Sequence, residues 1–152
     1  MRIEFQEVEP TVSPARELLA AMVAEMNELY GDIEFPGMPS ATPADFAPPA
    51  GAFLVGYADS EAVCAGGLKR LDDEAAEIKR MYVVPTARRR GVARLLLAAL
   101  EDTAYHRGYR VVRLDTGPRQ LHAMALYASA GYTEIGNFNA NPIAAYWGEK
   151  RL

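Results

Sequence analysis

The chain has 152 residues, 50% of them hydrophobic, with 16 Lys and Arg against 20 Asp and Glu for a net charge of -4. A chain this long buries roughly 70% of its unfolded surface and needs no staple, so the lone Cys64, in Ala62-Val63-Cys64-Ala65, reads as a small buried hydrophobe suited to a reducing cytoplasm. The acidic balance argues against a general nucleic-acid binder, no apolar run nears the ~20 residues of a membrane span, and Met1-Arg2-Ile3-Glu4-Phe5 lacks signal-peptide character, so an unprocessed, soluble, cytoplasmic protein is expected.

Alternation over Arg2 to Val8 predicts a first strand with Ile3 and Phe5 on one face. Ser13 as N-cap and Pro14 at the first helical position then open an amphipathic helix carrying Leu18, Leu19, Met22, Val23, Met26, Leu29 and Tyr30. Gly31 to Gly51, dense in Pro and Gly, reads as a long loop with one helical turn at Thr42-Pro43-Ala44-Asp45-Phe46. Strands are predicted over Ala52 to Ala58, Ala62 to Leu71 and Ala75 to Val84, as an antiparallel meander broken at Asp59-Ser60-Glu61 and Asp72-Asp73-Glu74.

A strong helix follows, with Val92, Leu95, Leu96, Ala99, Leu100 and Thr103 on its stripe and Gly108 as its stop. A strand over Arg110 to Asp115, a short helix over about Gln120 to Ala130, and strands at Tyr132 to Ile135 and Ala144 to Glu149 complete the order β-α-β-β-β-α-β-α-β-β. Residues 1–152 are therefore expected to form a single α/β domain with a mixed, mostly antiparallel sheet. The helical crossover between the fourth and fifth strands makes those two parallel.

Chemistry concentrates where the fourth strand runs through a short turn into the second helix, at Met81-Tyr82-Val83-Val84-Pro85-Thr86-Ala87-Arg88-Arg89-Arg90-Gly91-Val92-Ala93. The first N–H groups of a helix have no internal partner, and the macrodipole adds about half a positive charge there, so a phosphate is held favourably. Three arginines oppose that dipole unless an anion joins them, although a basic helix start pairing with nearby carboxylates is the alternative. The Lys-Ser/Thr ending of a P-loop is missing.

Arg88-Arg89-Arg90-Gly91-Val92-Ala93 resembles the Q/R-x-x-G-x-G/A signature of the GNAT acetyltransferases, with Arg88, Gly91 and Ala93 on its fixed positions. Gln120-x-x-Ala123-x-x-Leu126-Tyr127-x-x-x-Gly131-Tyr132 resembles that superfamily's downstream segment, so the likeness covers about Glu77 to Tyr132. The resemblance implies a GNAT-like sheet with a parallel pair of central strands, flanked by helices, and acetyl-coenzyme A as cosubstrate with no metal.

By the same resemblance, the backbone amides of Arg89, Arg90, Gly91, Val92, Ala93 and Arg94 cradle the diphosphate. Met81 and Val83 pair with the pantetheine arm where a bulge splays the parallel strands, and the N–H of Tyr82 or Val83 donates to the thioester carbonyl. Gln120 joins the coenzyme contacts. Tyr127 matches a tyrosine near the thioester sulfur, a candidate acid for the leaving thiolate, and Glu77 matches a glutamate base, with even spacing placing it on the face of Met81. Tyr30, Phe35, Met38 and their loop, together with Arg119, match positions that flank the thioester site in resembling proteins, and are expected to recognise the acceptor.

His106 and His122 sit in no metal spacing and read as surface residues, and Cys64 has no basic neighbour to make it a nucleophile. The segment Asn137-Phe138-Asn139-Ala140-Asn141-Pro142 with Tyr146-Trp147 reads as packing or as the wall of an acceptor pocket. The expected function is N-acetyl transfer to a small-molecule or peptide amine by direct attack in a ternary complex; an acyl-coenzyme A binding domain without turnover is the alternative. No nucleic-acid or membrane partner is expected, and an exposed sheet edge permits a homodimer.

Overall fold

The computed structural model describes residues 1–32 and 41–152. Phe35 and Met38, read above as acceptor residues, lie outside the described residues. Seven strands form one sheet: β1 (Glu4–Glu7), β2 (Ala52–Ala58), β3 (Glu61–Arg70), β4 (Ala75–Val83), β5 (Val111–Thr116), β6 (Thr133–Glu134) and β7 (Tyr146–Arg151), in the order β1-β2-β3-β4-β5-β7-β6. Every neighbouring pair is antiparallel except β4 and β5. The helices are α1 (Ala15–Tyr30), α2 (Val92–His106) and α3 (Leu121–Ser129).

Period-two alternation puts two cores on the two faces of the sheet. Leu54, Cys64, Ala76, Ile78, Val112 and Leu114 pack with α2 and α3, whereas Phe53, Val55 and Ala65 pack with Ala15 and Leu18 of α1 and with Phe46. Gly66 and Gly67 admit both layers closely. A Cβ at Gly66 would lie 2.9 Å from Leu100 Cδ1 of α2, and one at Gly67 would lie 2.3 Å from the Phe46 ring on the other side. Phe46 ends the short 3-10 turn Pro43–Phe46 expected from Thr42-Pro43, where the Thr42 N–H donates to Asp45 Oδ2 at 2.7 Å.

Several expectations need correction. Pro14, not Ser13, is the N-cap of α1, because the Ser13 hydroxyl is spent on Glu17 Oε1 at 2.6 Å rather than on the helix's free N–H groups. The buried stripe of α2 is Val92, Leu96, Leu97, Leu100 and Ala104; Leu95 is 41% exposed, because the face turned to β3 and β4 follows the i, i+4 row from Val92. β6 is only two residues long, and β7 runs from Tyr146 rather than Ala144, since Tyr146 is the residue set opposite Thr116. The stop at Gly108 behaves as expected, with positive φ after α2, and Gly31 likewise takes positive φ at the end of α1.

Candidate active site

The parallel ladder between β4 and β5 is short. It joins Ala75 to Val111, Ala76 to Val112 and Glu77 to Arg113, and then stops. β5 continues paired with β7 to Thr116, and β4 continues paired with β3 to Val83, so the two strands part and leave a notch between them. On the other side of β4 the register with β3 jumps from Gly67–Lys79 to Ala65–Tyr82, inserting one extra residue into β4. Arg80, at φ 59°, carries that bulge.

The bulge overturns the even-spacing argument. Ile78 precedes it and Met81 follows it, yet both pack with the α2 core, so the alternation has slipped by one. Glu77 therefore lies on the opposite face from Met81. It is 2% exposed, with Lys79 Nζ at 3.4 Å and Asn139 Nδ2 donating to its Oε2 at 2.9 Å. Tyr82, beyond the bulge, falls on the α1 side beside Val84.

On the α2 side, Tyr127 of α3 is buried at 7% exposure, and its hydroxyl donates to Met81 Sδ at 3.9 Å. Its ring stacks on Tyr146 with centroids 6.4 Å apart. Burial first, then the nearby Asp115 and Tyr146, push its phenol well above the ordinary tyrosine value, so it remains an O–H donor at neutral and mildly alkaline pH. Thr116 Oγ1, buried at the end of β5 opposite Tyr146, has no hydrogen-bond partner among the described residues.

β4 feeds the 3-10 turn Pro85–Ala87 and then α2. Arg89 at φ 63° and Gly91 at φ 79° adopt left-handed backbone, with Gly91 as the N-cap of α2. The N–H groups of Arg89, Arg90, Gly91, Val92, Ala93 and Arg94 make no backbone hydrogen bond with any described residue; the first N–H that does is Leu95, to Gly91 O at 3.2 Å. Consecutive free donors in such a turn form a concave nest for an anion, and the helix dipole adds to it. A Cβ at Gly91 would meet nothing within 4 Å, so glycine is required there by backbone conformation and not by protein crowding.

The three arginines divide their work. Arg88 is occupied within the protein: Nε donates to Val83 O at 2.9 Å, Nη2 pairs with Glu25 Oε2 of α1 at 2.6 Å, and the guanidinium lies 5.5 Å from the Tyr82 ring centroid. For this one arginine, pairing with a neighbouring carboxylate is what the fold delivers. Arg89 and Arg90 are exposed and pair with no described carboxylate. Arg94 Nη2 donates to Ser129 Oγ of α3 at 2.5 Å.

Tyr30, Arg119 and Gln120 come together, and they contact one another. The Tyr30 hydroxyl donates to Gln120 Oε1 at 3.4 Å and accepts from the Arg119 N–H at 3.1 Å, while Arg119 Nη1 donates to Leu29 O at 2.8 Å. Gln120 Oε1 also accepts from the Gly117 N–H at 3.1 Å. A Cβ at Gly117 would stand 2.2 Å from Tyr30 Oη, so this glycine lets the end of α1 close on the β5–α3 loop. An open groove of about 560 Å³ lies there, lined in part by Asn27, Tyr30, Arg119 and Ile143.

Sequence reasoning missed the residues that surround Glu77. Asn139, 62 positions away, bridges Glu77 to Asp115, and Asn141 and Trp147 complete the cluster. The three asparagines of the segment were the one signal available. Both histidines are exposed, and no group of three or more His, Cys, Asp or Glu among the described residues is placed to hold a metal. No helix among the described residues is long and apolar enough to cross a membrane.

A split parallel pair opening beside an unpaired helix N-terminus defines an acyltransferase of the GNAT type, and the chain belongs to the acetyltransferase (GNAT) family, whose model matches residues 17–132. It is 32% identical to an IAA acetyltransferase of Azospirillum brasilense over 83% of this chain and 84% of that protein. Among solved structures, an acetyltransferase of the GNAT family from Staphylococcus aureus Mu50 superposes with a TM-score of 0.80 at 18% identity, covering 99% of both chains. A GNAT family acetyltransferase from Elizabethkingia anophelis, solved with acetyl-CoA bound, gives 0.70 at 16% identity over 99% of this chain and 98% of that one.

Proposed function

We propose that the chain, acting as one acetyltransferase unit, moves an acetyl group from acetyl-coenzyme A to the amine of a small molecule or peptide by direct attack in a ternary complex. The observation that carries this reading is the run of N–H groups from Arg89 to Arg94, unpaired among the described residues, at the mouth of the notch. These amides, with the Arg89 and Arg90 guanidiniums beside them, hold the diphosphate. The arm then runs along β4 from Val83 toward Met81, on the edge that β5 has left.

The thioester comes to rest beside Tyr127, whose hydroxyl exchanges its weak Met81 partner for the thioester sulfur. As the neutral amine attacks, the carbonyl oxygen gathers charge and accepts from the Tyr82 or Val83 N–H. The C–S bond then breaks, Tyr127 supplies the proton to the thiolate, and the amine's proton passes to Glu77. Because Glu77 is buried, a water carries that proton to it. Direct transfer is favoured over an acyl-cysteine, since Cys64 is fully buried and its thiol is pushed up to about 11 by burial.

The acceptor enters over Tyr30 and Arg119, from the groove at the end of α1. An amine panel assayed with acetyl-coenzyme A by thiol release, on wild type and Tyr127→Phe, tests the whole reading. Turnover with at least one amine, lost in Tyr127→Phe while coenzyme affinity is kept, is the expected result. Coenzyme binding without acetylation of any amine would favour a binding domain lacking turnover.

A further inference from the structure

We propose that Asn139 is a positioning residue for the reaction, its side-chain amide fixing the orientation of the Glu77 carboxylate. The inference rests on the reading of Glu77 as the base. The Asn139 amide has two donors and one acceptor, and all are spoken for. Nδ2 donates to Glu77 Oε2 of β4 at 2.9 Å and to Asp115 Oδ2 of β5 at 2.6 Å, while Oδ1 accepts from Trp147 Nε1 of β7 at 3.0 Å. One side chain thus ties three strands at the level where the β4–β5 ladder ends, at Glu77 and Arg113.

The amide cannot be turned over. Reversing it would set its oxygen against two carboxylates and its N–H groups against the Trp147 donor, so the network specifies one orientation. The segment that carries it is itself pinned. Asn141 Nδ2 donates to Asp115 Oδ2 at 3.0 Å, and the Asn137 side chain accepts from the Asn139 and Ala140 N–H groups at 3.2 and 2.7 Å. Glu77 receives its other contact from Lys79 at 3.4 Å, beyond good hydrogen-bond length, so Asn139 is the better-placed donor.

The remaining charges around Glu77 are taken up elsewhere. Lys69, opposite it on β3, lies 3.9 Å from Asp45; Arg113, opposite it on β5, bonds Glu149 at 2.8 Å; and Glu25 on α1 is held by Arg88. Removing Asn139 therefore leaves the carboxylate with the longer Lys79 contact alone, and that flexible ammonium does not fix its rotation as the anchored amide does. The carboxylate is then free to turn away from the water that brings it the amine's proton.

The test compares Asn139→Ala, Trp147→Phe and Glu77→Gln with wild type. It uses kcat and the amine KM with the best acceptor from the amine panel, together with coenzyme A affinity by calorimetry. Asn139→Ala should lower kcat roughly tenfold or more, the size expected for one lost hydrogen bond to a carboxylate, and should leave the amine KM and the coenzyme A affinity near wild type. Trp147→Phe keeps an aromatic ring but removes the indole donor to the amide oxygen, which still accepts from the Asn141 N–H, and should lower kcat the same way by less; this milder change carries the test if Asn139→Ala does not fold. Lower thermal stability with an unchanged kcat, or a loss that appears only in KM, would overturn the positioning role. Full turnover in Glu77→Gln would instead remove the base assignment itself, whatever the Asn139 variants do.

Discussion

Replacing Gly91 is the sharpest probe of the phosphate nest, because its cost to the fold and its cost to binding separate. At φ 79° any side chain pays about 1–2 kcal/mol of left-handed strain, yet a Cβ there meets nothing within 4 Å, so the protein should fold. On a chain of this size about 1 kcal/mol corresponds to a fall of roughly 2–4 °C in Tm. Gly91→Ala should show that fall together with a modest loss of coenzyme A affinity.

Gly91→Glu adds a carboxylate to a site built for an anion. A like charge about 5 Å from a phosphate costs roughly 1–3 kcal/mol at effective dielectric constants between those of water and a protein surface. Displacing the ligand from even one charge-assisted N–H adds about 1.5–3 kcal/mol more. Together these weaken coenzyme A by at least about 60-fold, with a Tm close to that of Gly91→Ala. Calorimetric titration of both variants reads this directly, and a Gly91→Glu protein that bound coenzyme A as tightly as wild type would refute the assignment of the diphosphate to this turn.

Arg88→Ala removes the Glu25 pair, whose members are 40% and 31% exposed, together with the bond to Val83 O and the Tyr82 contact, so it should cost about 1–2 kcal/mol of stability, read as a fall in Tm. Arg90→Ala should leave Tm unchanged and instead flatten the salt dependence of coenzyme binding; the reverse pattern would exchange the two roles. Burial raises the phenols of both Tyr127 and Tyr132 above their unfolded value near 10. Their stabilisation is therefore complete below that pH and is lost as pH climbs past it, by about 3 kcal/mol for the pair at pH 11, which equilibrium urea unfolding at pH 8 and 11 would measure. Cys64 should stay silent toward a thiol reagent at pH 8 in the native protein and react on unfolding.

Local chemistry made much of this molecule legible in the sequence. The order of elements, the parallel pair and the anion-seeking turn follow from periodicity, from Gly31, Gly91 and Gly108, and from the crowding of arginine at a helix start, since each is set by residues within a few positions of one another. The same locality misplaced Leu95 on the core stripe and Ser13 at a helix cap, where the direction of the sheet and the reach of Glu17 decided otherwise.

What only the tertiary structure decided lies around Glu77. The extra residue at Arg80 slips the alternation of β4, so that Glu77 and Met81 look out on opposite faces, and alternation alone carries no mark of a bulge. Asn139, Asp115 and Trp147 meet Glu77 because β7 returns beside β5 and brings its preceding loop back over the strand ends. Hydrogen bonds between side chains 62 positions apart depend on that return path, whereas a helix start and its free amides are specified by the residues that compose them.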